Sequence, residues 1–238
     1  MSDLEKNLQL VQQRIAAAAE RARRDPREIT LVAVSKTQPG EAILATHALG
    51  AQHFGENRVE EAREKIPLIN AKLQMPNDKI TWHLIGHLQS RKVRDAVALF
   101  DVVQSVDSLA LAQRLSERAG ALGKTLAILL EVNVSGEATK SGFALAARAE
   151  FFDAARAISA LPNLDAQGLM TLSPIVANPD DARPYFRALR ELRDDLRAQV
   201  PNRAWQHLSM GMTDDFGSAI AEGATMVRIG RAIFGERK

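Results

Sequence analysis

Residues Ile29–Lys36 read ITLVAVSK, an apolar run of strand length that closes on a lysine. Leu31 and Ala33 alternate with Val32 and Val34, so neither face of the run is polar. Such a run suits a strand covered on both sides, as in a parallel sheet wrapped by helices. Lys36 then stands at the carboxyl end of a buried strand. A lysine there has its stem in low dielectric, which disfavours the ammonium and readies the amine for Schiff-base chemistry. A lysine that merely begins a loop and points to water fits these eight residues too, so the rest of the chain has to decide.

Upstream, Ser2 followed by Glu5 fits a capping box, and Leu4, Leu8, Val11, Ile15, Ala18 and Ala22 recur at helical spacing. Asp25-Pro26 stops this helix before the first strand. Downstream, apolar strand-like runs alternate with helical patterns to the end. Helix 41–49 precedes AQHF, which closes on Gly55-Glu56-Asn57, and a charged helix 59–72 precedes TWHLIG at 81–86. Helix 90–99 leads into DVVQSVD, helix 109–121 into TLAILLEVNV at 125–134, and helix 145–160 into LDAQGLM. Helix 181–200 leads into WQHLSM and a short helix 215–222 into ATMVRIG. Eight strands in alternation, with no long linker or repeat, predict an α/β fold, a single (β/α)8 TIM barrel with an extra N-terminal helix, spanning 1–238 as one domain. The other α/β solution, an open doubly wound sheet, needs a glycine-rich turn after its first strand, and that position reads SKTQPGE.

Composition agrees. The 238 residues match the roughly 250 typical of such barrels. Lys and Arg number 31 against 29 Asp and Glu, so the pI of 9.0 reflects a small excess and gives no case for nucleic acid or membrane. The absence of cysteine removes disulfides and thiolate chemistry. The N-terminal stretch lacks a signal-peptide apolar core and no run approaches about 18 apolar residues, so the expected location is the cytoplasm.

In a barrel of this kind the carboxyl ends of the strands build the site. Read in order they are Ser35-Lys36, Glu56-Asn57, Gly86-His87, Ser105 to Asp107, Asn133, Leu169-Met170, Ser209-Met210-Gly211 and Arg228-Ile229-Gly230-Arg231. RIGRAIFG puts a glycine where the last strand turns into a short helix, offering backbone N–H groups to an anion, and loops after the last two strands are the usual phosphate site. A Schiff-base lysine facing a phosphate cradle points to a phosphorylated aldehyde, with pyridoxal 5'-phosphate (PLP) the obvious candidate. Other polar residues have plainer readings. His83, His87 and His207 lack metal-ligand spacing and read as satisfied structural histidines, so no metal is expected. Asp214-Asp215 reads as a helix N-terminal acidic pair, and Glu60, Glu61, Arg63, Glu64 and Lys65 as a solvated helix face.

The segments VAVSKTQP, FGENRVEEAREK, WHLIGHLQSRK, EVNVSGEATKSGF, GLMTLSP and LSMGMTDDFGSAIAEGATMVRIGRAIFG, in this order across nearly the whole chain, resemble the motif series of the pyridoxal-phosphate homeostasis proteins, the YggS/PROSC family. The resemblance implies a PLP fold type III barrel like that of alanine racemase, with PLP as a Schiff base on Lys36. It further implies a role in buffering or delivering PLP without established catalytic turnover. By position, Ser209 with the backbone of Gly230 and Arg231 holds the phosphate, Arg228 faces the pyridine nitrogen, Asn57 lines the ring, and Met210 is a further cofactor-binding residue. Implied partners are PLP and apo PLP-dependent enzymes, with the chain a monomer. Departures from the family pattern are mild: Leu84, Arg91 and Arg231 replace commoner residues.

The rival reading is a PLP-dependent racemase, whose two-base route needs an acid/base opposite the lysine, in the related enzymes a tyrosine from an additional C-terminal domain. The chain stops eight residues after Gly230, its only tyrosine is Tyr185 in a helical stretch, and Gly40 stands where racemases place a phosphate-contacting tyrosine. Arg228 argues the same way, since a cation against the pyridine nitrogen weakens the electron sink. A Schiff-base aldolase shares the lysine and the phosphate site but not the motif series.

Overall fold

The structure, a computed structural model, describes residues 2–73 and 79–235. Its strands are β1 (Thr30–Val34), β2 (His53–Glu56), β3 (Thr81–Leu84), β4 (Val102–Val106), β5 (Leu126–Asn133), β6 (Phe143–Ala144), β7 (Leu164–Met170), β8 (His207–Ser209) and β9 (Met226–Ile229). The hydrogen-bonded order is β4-β3-β2-β1-β9-β8-β7-β5, all parallel, and β4 pairs with β5 to close the ring. That closure excludes the open doubly wound alternative and makes the fold a (β/α)8 barrel. The helices outside it are α1 (Asp3–Arg21), α2 (Gly40–Ala48), α3 (Val59–Asn70), α4 (Val93–Leu99), α5 (Leu109–Ala121), α6 (Arg148–Ser159), α7 (Arg183–Gln199), α8 (Phe216–Ala221) and α9 (Arg231–Phe234).

The extra helix α1 begins at Ser2, whose hydroxyl accepts the Glu5 N–H at 3.2 Å as the capping signature predicts. It buries Leu8, Val11, Ile15, Ala18 and Ala19 against α8 and α9. Arg24, just beyond it, donates to the carbonyls of Ile220 at 3.1 Å and Ala224 at 2.7 Å, tying the end of α1 to the last turn of α8 and the loop that follows.

Two details depart from the sequence reading. Phe143 and Ala144 pair in parallel with Val132 and Asn133 as the unforeseen strand β6, so the helix expected from 145 starts at Arg148. The segment expected as one helix over 90–99 opens with a 3₁₀ turn, Ser90–Lys92, before α4. Two residues are too short a run to show an alternating pattern, and a 3₁₀ turn has no periodicity of its own to read.

The alternation of strand side chains divides the core in two. Outward residues such as Ala33, Phe54, Trp82, Val103, Ile128 and Leu208 join the helices in one large apolar cluster. The inward set is far more polar: His53, His83, Gln104, Ser209 and Arg228 are hydrogen-bonded to one another across the barrel, beside the small apolar group Leu129, Met170 and Met226.

Candidate functional site

A cavity of about 900 Å³ opens at the carboxyl ends of the strands. Lys36 follows β1 at its wall, Asn57 follows β2, Glu131 and Asn133 come from β5, Arg228 from β9, and Gly230 and Arg231 form the turn into α9. Gly230 is packed so closely that a Cβ there would lie 3.1 Å from the Val34 carbonyl and 3.2 Å from the Val34 Cβ. Gly86 admits no side chain, because a Cβ would come within 2.3 Å of the Asn57 carbonyl, so this glycine sets where Asn57 sits.

Five of the seven residues singled out from the sequence, Lys36, Asn57, Arg228, Gly230 and Arg231, therefore line one cavity, while Ser209 and Met210 are fully buried and do not. The Ser209 hydroxyl is committed inside the barrel: it accepts from Arg228 Nη1 at 2.7 Å and donates to Gln104 Oε1 at 2.7 Å. The chain continues from Gln104 Nε2 to His83 Nδ1 at 2.9 Å, and His83 Nε2 lies 3.0 Å from His53 Nδ1. Because the Gln104 amide donates to His83 Nδ1, that nitrogen must be unprotonated, which puts the His83 proton on Nε2, where it is donated to His53. Every donor thus points away from Arg228, so the dipoles along the chain are aligned to stabilise its charge. Burial, with His53 and His207 as neighbouring charges, pushes His83 down to about 3, so it remains the neutral acceptor the chain requires. Arg228 also donates to the Thr171 carbonyl at 2.7 Å. Burial lowers it to about 10 against the pull of Asp215 and Glu131, and it remains a cation at neutral pH.

Glu131 was not singled out in the sequence. It is buried in the cavity wall with Oε2 lacking any partner, and burial together with the charge of Asp107 pushes its carboxyl up to about 7, against the opposing pull of Arg228. Its only signal was a lone acid at the end of the most apolar strand.

The acidic pair after β8 serves the loops of the cavity. Asp215 Oδ1 accepts the Met212 N–H at 2.6 Å and Oδ2 accepts the Ser173 hydroxyl at 2.7 Å, whereas Asp214 binds Arg231 Nη2 through both oxygens at 2.6 Å. No side-chain cap from Asp215 reaches α8, so the pair ties the loops after β7, β8 and β9 together instead of acting chiefly on a helix dipole. The charged run on α3 is likewise only partly solvated. Lys65 is turned inward, its side chain 11% exposed, and donates to Glu56 Oε1 at 3.0 Å and Glu61 Oε1 at 2.7 Å. Among the described residues no group of acids and histidines is arranged to hold a metal, and no helix is long and apolar enough to cross a membrane.

Residues 6–238 match the family model described as alanine racemase, N-terminal domain. The pyridoxal phosphate homeostasis protein of Pseudomonas aeruginosa is 44% identical over 240 residues, covering 100% of this chain and 97% of the relative. The solved structure of PipY from Synechococcus elongatus PCC7942, with PLP bound, is 38% identical with a TM-score of 0.78, covering 93% of this chain and 100% of PipY. Alanine racemase from Clostridium difficile 630, at 18% identity and a TM-score of 0.67 over 100% of this chain and 57% of its own, shares the fold.

Proposed function

The chain belongs to the pyridoxal phosphate homeostasis protein family, on the barrel of the alanine racemase N-terminal domain, and from that premise we propose that it holds PLP as a Schiff base on Lys36 and works in intracellular PLP homeostasis. The observation that carries this reading is that Lys36, Asn57, Arg228 and the Gly230 turn, drawn from strands far apart in sequence, line a single cavity. Their chemistry fits the group: a strand-end amine for the aldehyde, a buried guanidinium for the ring, and a turn closed against Val34 at the last strand, where barrels of this class bind phosphate. When bound, PLP supplies an electrophilic carbon and a conjugated ring able to accept electron density.

The protein's own groups favour holding over turnover. Arg228 stays positively charged and, with the pyridine nitrogen of PLP against it, would oppose protonation there. Tyr185, the only tyrosine, lies on α7 outside the barrel and is not part of the cavity wall, so no tyrosine stands across from Lys36. Ser209 supports the site from behind, by orienting Arg228, and the Gly230-Arg231 turn receives the phosphate. We place the protein in the cytoplasm as a monomer that buffers PLP and passes it to apo PLP-dependent enzymes.

The test is an absorption spectrum of the purified protein before and after borohydride, with peptide mapping. A visible band that borohydride abolishes and a label on Lys36 support the reading, whereas a label on another lysine such as Lys140 refutes it. Incubation with single amino-acid enantiomers in deuterated water separates carrier from racemase: rapid racemisation lost in Lys36→Ala would establish an enzyme.

A further inference from the structure

The inward turn of Lys65 brings α3 against the segment that bears Lys36. Lys65 Nζ donates at 3.0 Å to the Ser35 carbonyl, at 3.0 Å to Glu56 Oε1 and at 2.7 Å to Glu61 Oε1, using all three of its protons. Glu61 Oε1 in turn accepts the Thr37 N–H at 2.6 Å, and the Ser35 hydroxyl donates to Glu56 Oε1 at 2.7 Å. The residues on both sides of Lys36 are therefore tied to one ion cluster.

The backbone they hold is strained. Gln38 N–H bonds the Ser35 carbonyl at 3.0 Å, closing a tight turn with Lys36 and Thr37 at its two central positions. Thr37 has φ of 64°, in the left-handed region that a β-branched residue resists and that glycine occupies without steric cost. Left alone, Thr37 would relax to negative φ and swing Lys36 with it. There is room for that motion, since Lys36 borders both the large cavity and a second hollow of about 410 Å³ lined also by Thr37, Gln38 and Phe234. A buried ion cluster is a poor way to add stability, because desolvation consumes most of its attraction. Its directional hydrogen bonds do fix geometry.

We propose that Lys65, Glu61 and Glu56 are positioning residues for Lys36: their cluster clamps the Ser35–Gln38 turn in the strained form that presents the Lys36 amine to the cavity. The inference rests on Lys36 being the cofactor lysine, and the clamp itself is measurable without cofactor.

Three variants, Glu61→Gln, Lys65→Met and Lys65→Met combined with Thr37→Gly, test it by two readouts. The first is amide hydrogen exchange and acetylation of Lys36 in the PLP-free protein. In Lys65→Met the Thr37 and Gln38 amides should exchange about tenfold faster or more while those of β4 and β5 keep wild-type rates, and the acetylation rate of Lys36 should change. The second is PLP titration followed by the visible band. Lys65→Met should bind PLP roughly tenfold to a hundredfold more weakly, and adding Thr37→Gly should recover most of the loss, because glycine holds the turn unaided. A purely structural cluster predicts a lower melting temperature, unchanged turn exchange and no rescue by glycine, and that result overturns the proposal. Glu61→Gln, at a partly exposed residue, weakens the acceptor shared by the Thr37 N–H and Lys65 Nζ, and carries the test if Lys65→Met does not fold. Should the wild type take no PLP on Lys36, the functional reading falls while the exchange data still decide the clamp.

Discussion

Glu131→Gln in the PLP-free protein is expected to leave stability nearly unchanged in acid, apart from a constant offset, and to raise it at alkaline pH. The carboxyl is buried in the cavity wall, one oxygen has no partner, and the group is displaced from 4.5 to about 7 by burial and the charge of Asp107. The folded chain therefore holds a proton between pH 4.5 and 7 that the unfolded chain has released, and stability falls as the pH rises through that window. At about 1.4 kcal/mol per pH unit the wild type loses on the order of 3 kcal/mol before the curve flattens above 7. Glutamine keeps the shape and cannot ionise, so the variant lacks this slope. The assay is urea denaturation of both chains from pH 4 to 8.5, with extrapolation to zero denaturant. His83 and the other titrating groups are common to both, so they cancel in the difference. A difference that stays flat between pH 5 and 7.5, or that changes around 4.5, would show that Glu131 is solvated or paired and refute the reasoning.

Ser209→Ala should remove a hydrogen bond to a charged group, costing about 1.5–3 kcal/mol. Because the hydroxyl is on Arg228 and Gln104, PLP and pyridoxal should weaken equally; a loss confined to PLP would put the hydroxyl at the phosphate instead. His83, held near 3 against an ordinary 6.5, contributes stability that is full above pH 6.5 and lost as the pH falls toward 3, so His83→Gln should show a shallower acid unfolding profile than the wild type. Gly86→Ala forces a Cβ to within 2.3 Å of the Asn57 carbonyl and should lower stability by about 1–3 kcal/mol while weakening PLP; a wild-type melting temperature and titration would show that Asn57 moves freely.

The eight barrel strands, the extra helix and the placing of Lys36, Asn57, Arg228, Gly230 and Arg231 at strand ends were legible in the sequence. Strands buried on both faces must be continuous apolar runs, helices against them must repeat at 3.6 residues, and both are local patterns. The same locality hid what the structure decided. Glu131 ends a strand as any solvated acid would, and only the closing of β4 onto β5 buries it beside Asp107 and Arg228. Ser209 reads as a strand-end hydroxyl fit for a phosphate, yet its partner Gln104 comes from the other side of the barrel, 105 positions away. Lys65 lies within a run of charges that any helix would expose, and it is the packing of α3 against the end of β1 that turns it onto the Ser35 carbonyl, 30 residues upstream. Backbone patterns are set by neighbours in the chain and survive in one dimension, whereas the partner of a polar group is set by distance in space, which the fold alone supplies.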